Sequence, residues 1–95
     1  MDFLLAYDVA TDTVEGRGRL RRVAKVCESF GVRVQNSVFD LVIEPHELYL
    51  LIHRLEEIID ETRDGIRIYR LSVAAPVVAL GAQRPVSTTR GPLIL

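Results

Sequence analysis

Asp8 stands at the end of a short apolar run, where a carboxylate offers hard oxygen ligands to a divalent cation. The same carboxylate would also cap the loop that follows, and spacing alone does not separate the two roles. Further along, Arg17, Arg19, Arg21, Arg22 and Lys25 form a basic run. Each arginine carries a planar fork that can meet two phosphate oxygens at once. The competing reading is an ordinary solvated helix face. Glu28 alone offsets the run on its own side, so a local positive patch survives. Arg33 is a second candidate for the same phosphate track, whereas Arg67 and Arg70 read as sheet-surface residues.

Other chemistries find little support. His46 and His53 are seven positions apart, about two helical turns, which is not the spacing of a zinc pair. Cys27 falls on an apolar stripe, and no Ser-His-Asp or Cys-His set is evident. Gly16, Arg17 and Gly18 lack the remaining glycines and the strand junction of a phosphate loop, which sets aside P-loop nucleotide hydrolysis.

The 95 residues fit one domain. A chain of this size buries only about 60–65% of its unfolded surface, so burial through oligomerisation is expected. The hydrophobic fraction is 48% and the mean hydropathy +0.19, high beside 26% charged residues. Some of that apolar surface should meet a partner. The net charge of −1 means that any nucleic-acid binding must come from a local basic cluster. A single cysteine excludes an intramolecular disulfide. No apolar run approaches the ~20 residues of a membrane-spanning helix, so a cytoplasmic protein with no membrane partner is expected.

These side chains need elements to hold them. Residues 3–7 read as a buried first strand, followed by a loop of Thr, Asp and Gly. From about residue 18 to 30 the period changes: Leu20, Val23, Ala24 and Cys27 share one helical face, and Gly31 marks the stop. Residues 32–43 are rich in β-branched and aromatic side chains and are too long for one strand. Asn36 and Ser37 are the turn-prone pair that makes them a hairpin. Pro45 suits the first turn of a second helix, with Leu48, Leu51, Ile52, Leu55, Ile58 and Ile59 as its stripe and a break at Asp64 and Gly65. Residues 66–73 read as the last core strand.

Strand, helix, strand, strand, helix, strand is the α+β order of the ferredoxin-like split βαβ fold, with two helices on one face of an antiparallel sheet. The other face is left bare, which predicts a homodimer. The expected division is a ferredoxin-like, nucleic-acid-handling domain over residues 1–81 and an extended tail over 82–95. Within it, residues 76–81 form a spare apolar segment that would serve as an additional C-terminal strand, exchanged between subunits.

Tyr7, Asp8 and Val9, the basic helix from Arg19 to Cys27, the run Arg33, Val34, Gln35, Asn36, Ser37, Val38, Phe39 and Asp40, and the stretch around Ile66 and Tyr69 are ordered and collinear over residues 3–81. In these the chain resembles the small CRISPR-associated adaptation proteins, the non-integrase partners of the spacer-acquisition complex. The resemblance implies a ferredoxin-like homodimer whose C-terminal strand pairs with the other subunit's sheet. It implies that Asp8 is paired across the two-fold axis and that the two carboxylates hold Mg2+. Two facing carboxylates repel without a cation, and a metal both relieves this and activates water for phosphodiester attack. Ser37, in the signature run, would lie near Asp8 or the scissile phosphate, or be a plain turn serine. Phe39 reads as core, and Tyr7 either orients a phosphate or packs. The loop over residues 9–18 looks longer than in the family's shortest members.

The expectation is a spacer-acquisition protein that is a magnesium-dependent endonuclease on RNA or DNA. Asp8 and Ser37 are its catalytic residues, Asp8 is the metal ligand, and Tyr7, Arg19, Arg21, Arg22, Lys25 and Arg33 bind nucleic acid. The rival is a non-catalytic DNA-binding dimer that acts as a scaffold for the CRISPR integrase. A metabolite-binding regulatory module is disfavoured by the run from Arg33 to Asp40.

Overall fold

A computed structural model describes residues 1–71, 80 and 81, and the expected exchanged strand and tail lie almost wholly outside this range. The element order is β1 (Asp2–Asp8), α1 (Val14–Phe30), β2 (Val32–Gln35), β3 (Val38–Val42), α2 (Pro45–Glu56) and β4 (Gly65–Leu71). The strands form an antiparallel sheet in the order β2-β3-β1-β4, the ferredoxin-like arrangement expected from the sequence.

β1 alternates strictly. Phe3, Leu5 and Tyr7 are buried, while Leu4 and Ala6 are half-covered and Asp8 is exposed on the other face. The buried set joins Phe39 and Leu41 of β3, Val23 and Cys27 of α1, and Leu51 and Leu55 of α2 in one core. Phe39 is fully buried, so it packs the core as expected. Burial pushes the Cys27 thiol up to about 12, which leaves it protonated and inert.

Both helices differ from the sequence reading at one end. α1 begins at Val14, not near residue 18, so the preceding loop is only residues 9–13 and is not the long one expected. The Thr13 side chain caps it by accepting from the Gly16 amide at 3.0 Å. Glycine is a poor helix former, but here it serves packing: a Cβ on Gly16 would collide with the carbonyl oxygen of Ala10. Gly31 does end α1, but its φ of −159° is ordinary extended backbone. Its glycine is required by the close approach of the Asp40 carbonyl and the Leu41 side chain, not by a left-handed turn. α2 starts at Pro45 with the Glu44 amide donating to Oε1 of Glu47 at 2.9 Å. It ends at Glu56, eight residues before the Asp64 break. The amides of Ile58 and Ile59 both turn back to the Leu55 carbonyl, so these two isoleucines cover the core from a tight turn.

Candidate phosphate-binding cleft

The register puts Asp8 at a corner of the sheet. On one side it faces Gly65 of β4, whose missing side chain leaves open space around it. On the other side β3 has already ended, since its pairing with β1 stops at Ala6 and Val38. The hairpin turn fills that place. The Tyr7 amide donates to the Ser37 carbonyl at 3.0 Å, and the Tyr7 hydroxyl donates to the Asn36 carbonyl at 3.2 Å. Tyr7 therefore clasps the turn to the end of β1 from both its backbone and its ring tip. Burial raises the pKa of this phenol despite the opposing charge of Arg33. Its ring stacks on Phe39 with centroids 6.1 Å apart.

A cleft of about 490 Å³ opens at this corner, lined by Tyr7, Asp8, Val9, Leu20, Arg21, Ala24, Arg33, Asn36 and Ser37. Of the residues singled out from the sequence, it brings together Tyr7, Asp8, Arg21, Arg33 and Ser37. Arg22 and Lys25 are exposed on α1 but outside the lining. Arg33 lies with its guanidinium carbon 5.2 Å from the Phe39 ring centroid, its direct partner in the β2–β3 register. One edge of its fork reaches Glu28 at 3.1 Å.

Arg19 is held elsewhere. Its Nε donates to Oδ2 of Asp64 at 2.7 Å, and the Asp64 side chain is fully buried. The amides of Ala10 and Asp60 donate to the same carboxylate at 3.1 and 2.9 Å. Arg19 is thus not a free phosphate ligand but a tie between α1 and the loops on either side of the sheet corner. Burial works to raise the Asp64 pKa, but the bonds from Arg19, Asp60 and Ala10 outweigh it and hold the carboxyl below the ordinary value of 3.8. Asp64 has no reading in the sequence beyond a helix break. Only its Asp-Gly position at a strand start hinted that it would accept backbone amides.

The polar donors beside Asp8 are oxygen and guanidinium groups. The Asp8 carboxylate and the Ser37 hydroxyl suit a hard cation in kind, yet Asp8 is the lone carboxylate of the cleft. Among the described residues no group of three or more His, Cys, Asp or Glu side chains could hold a metal. Asp8 and Ser37 of one chain are therefore fewer ligands than a hard cation takes. Two arginines flanking one carboxylate make a cleft suited to an anion bound next to a cation, which is what a phosphodiester with a bound metal presents. No helix among the described residues is long and apolar enough to cross a membrane.

The chain is similar to known proteins in both sequence and fold. The CRISPR-associated endoribonuclease Cas2 1 of Moorella thermoacetica is 51% identical over 71 residues, covering 75% of this chain and 74% of its own. The CRISPR-associated endonuclease Cas2 of Halalkalibacterium halodurans is 48% identical over 68 residues, covering 72% and 71%. The crystal structure of Streptococcus pyogenes Cas2 at pH 6.5 superposes with a TM-score of 0.71 at 53% identity, over 76% of this chain and 87% of that one. Residues 1–75, which hold the four described strands, the two described helices and the cleft, match the family described as CRISPR associated protein Cas2, and this chain belongs to it.

Proposed function

We propose that the chain is a CRISPR spacer-acquisition protein whose homodimer is a magnesium-dependent endonuclease on RNA or DNA phosphodiesters, acting in the cytoplasm. The observation that carries this reading is the exposed Asp8 carboxylate at the mouth of a cleft flanked by Arg21 and Arg33. Relatives named endoribonuclease and endonuclease lend it weight without choosing the sugar. In the dimer, Asp8 of each subunit would be the residue that holds Mg2+. When bound, the ion supplies a water of lowered pKa and positive charge beside the phosphorus. Arg21 and Arg33 grip the non-bridging phosphate oxygens and stabilise the charge that gathers there. Ser37 offers a hydroxyl to the same group, and Tyr7 acts by holding the turn that carries Ser37. Arg22 and Lys25 extend the track along α1.

The dimer itself is proposed on the sheet face away from the helices, where Val32, Val42 and Tyr69 are 40%, 43% and 49% exposed. Residues 77–80 would add a strand to the partner's sheet. A second reading is favoured by the lone carboxylate of each cleft: a non-catalytic DNA-binding scaffold for the CRISPR integrase, using the same basic track.

The deciding experiment titrates magnesium against cleavage of RNA and DNA substrates, with Asp8→Asn beside the parent. The nuclease reading expects metal-dependent cleavage that Asp8→Asn abolishes while nucleic-acid binding persists. Cleavage by the variant at the parent's rate and metal dependence would remove Asp8 from the metal site. Binding without cleavage in either protein selects the scaffold.

A further inference from the structure

The cleft contains an arginine that is only half engaged. Arg33 presents a fork whose side-on edge is made of Nε–H and one Nη2–H. Nη2 reaches Oε1 of Glu28 at 3.1 Å, whereas Nε is buried without a hydrogen-bond acceptor. A buried donor left unpaired is costly, and a carboxylate that takes one point of a two-point edge does not relieve it. The Phe39 ring fixes the plane of the guanidinium from its other side. Glu28 does not line the cleft; it reaches Arg33 from the rim. Its side chain is 58% exposed and that of Arg33 is 37% exposed, so water screens the pair and its hold is weak. Glu28 also sits in the last turn of α1, where the helix dipole disfavours an acid and the turn itself holds no basic residue.

We infer that Glu28 is an affinity-determining residue of the cleft: its carboxylate stands in for phosphate on Arg33 and must be displaced when a phosphodiester takes both points of the fork. The inference rests on the reading of the cleft as a phosphodiester site. Glu28 and phosphate offer the same kind of acceptor to the same donor, so they compete. A tight nucleic-acid complex forms only where the backbone can present two oxygens to Nε and Nη2 at once. A ligand that offers one oxygen gains nothing over Glu28. The contact thereby selects against single anions and in favour of a tetrahedral phosphate in register with Arg21.

The test is a double-mutant cycle with Glu28→Gln and Arg33→Gln, read by binding of a short single-stranded oligonucleotide and by the amide-region resonance of Arg33 Nε–H. Glutamine keeps the helix and removes the competing charge. Glu28→Gln is expected to tighten binding about 2–5-fold, matching the weak hold of an exposed pair, and to do so only when Arg33 is present. Tightening of the same size in the Arg33→Gln background would reduce the effect to net charge and overturn the inference. Unchanged or weaker binding in Glu28→Gln would make Glu28 a brace for Arg33 and overturn it too. Should the oligonucleotide bind while leaving the Arg33 resonance in place, the phosphate reading of the cleft itself fails, and the inference falls with it.

Discussion

Nε of Arg19 donates to Oδ2 of Asp64 at 2.7 Å across 45 residues of sequence, and this one carboxylate also gathers the amides of Ala10 and Asp60. Ala10 lies two residues after Asp8, and Asp64 lies directly before Gly65, the strand partner of Asp8. The buried ion pair therefore braces both chain segments that leave the sheet corner where the cleft opens. Arg21, two residues on from Arg19 along α1, inherits its position from the same brace.

Asp64 should control the acid limb of stability. Its carboxyl is held below 3.8 in the folded protein, so folding stability is full above that value and falls as the pH drops through the lower folded value. Asp64→Asn should flatten this limb, leaving the slope from Asp60, whose pKa is lowered by its bonds to Thr62. Asp64→Ala should destabilise at neutral pH by about 1–3 kcal/mol, because two partly buried amides lose their acceptor. Urea unfolding midpoints over a pH series check both; a parallel acid limb in Asp64→Asn would contradict the assignment.

The two glycines of helix α1 should respond in opposite directions. Gly16→Ala drives a methyl into the Ala10 carbonyl, and such overpacking costs about 1–3 kcal/mol. At Gly18 the nearest atom to an added Cβ is a flexible Arg22 nitrogen 3.5 Å away. Gly18→Ala should gain up to about 1 kcal/mol from helix propensity. Thermal melts of the two variants suffice, and equal shifts would contradict the close approach at Gly16.

Tyr7→Phe should keep the core, since the ring stays stacked on Phe39, but remove the bond to the Asn36 carbonyl. The expected cost is about 0.5–1.5 kcal/mol, together with a looser hairpin turn, visible as faster amide exchange at Gln35 and Ser37. The parent's phenol pKa is raised above 10.0, so the unfolded chain ionises first and the parent loses stability as the pH climbs past 10. Tyr7→Phe should lack that contribution to the alkaline limb. Unchanged alkaline stability in the variant would mean the phenol is not the group responsible.

Neutralising Arg21 and Arg22 together should weaken nucleic-acid binding for all sequences alike, because interactions with phosphate carry no base information. The slope of log affinity against log salt should flatten by roughly 0.9 for each duplex phosphate that the variant no longer neutralises. Folding stability should barely change, since both side chains lie on the open side of α1 and Arg22 is exposed. Arg19→Gln should do the reverse, lowering the melting temperature through Asp64 and altering the salt slope little. Binding isotherms at several salt concentrations and melts of the same variants separate the two groups.

What was legible in the sequence was what neighbours along the chain decide. Alternation from Phe3 to Tyr7, the turn pair Asn36 and Ser37 between two β-rich runs, and Pro45 opening an apolar stripe are local signals, and each element lies where they point. Their order alone yields the ferredoxin-like layering, because two amphipathic helices have only one sheet face to cover. The start of α1 was not legible. Gly16 and Gly18 lower helix propensity, and only the approach of the Ala10 carbonyl explains why Gly16 belongs inside a helix. The site divides in the same way. Asp8 at a strand end and a run of arginines were visible as chemistry, but the sorting of those arginines was not. Arg19 goes to a buried carboxylate 45 positions away, Arg21 and Arg33 meet from different elements at one cleft, and Glu28 claims one edge of Arg33. Such pairings depend on distances closed by the fold, where Coulomb attraction and desolvation act through space and sequence separation carries no weight.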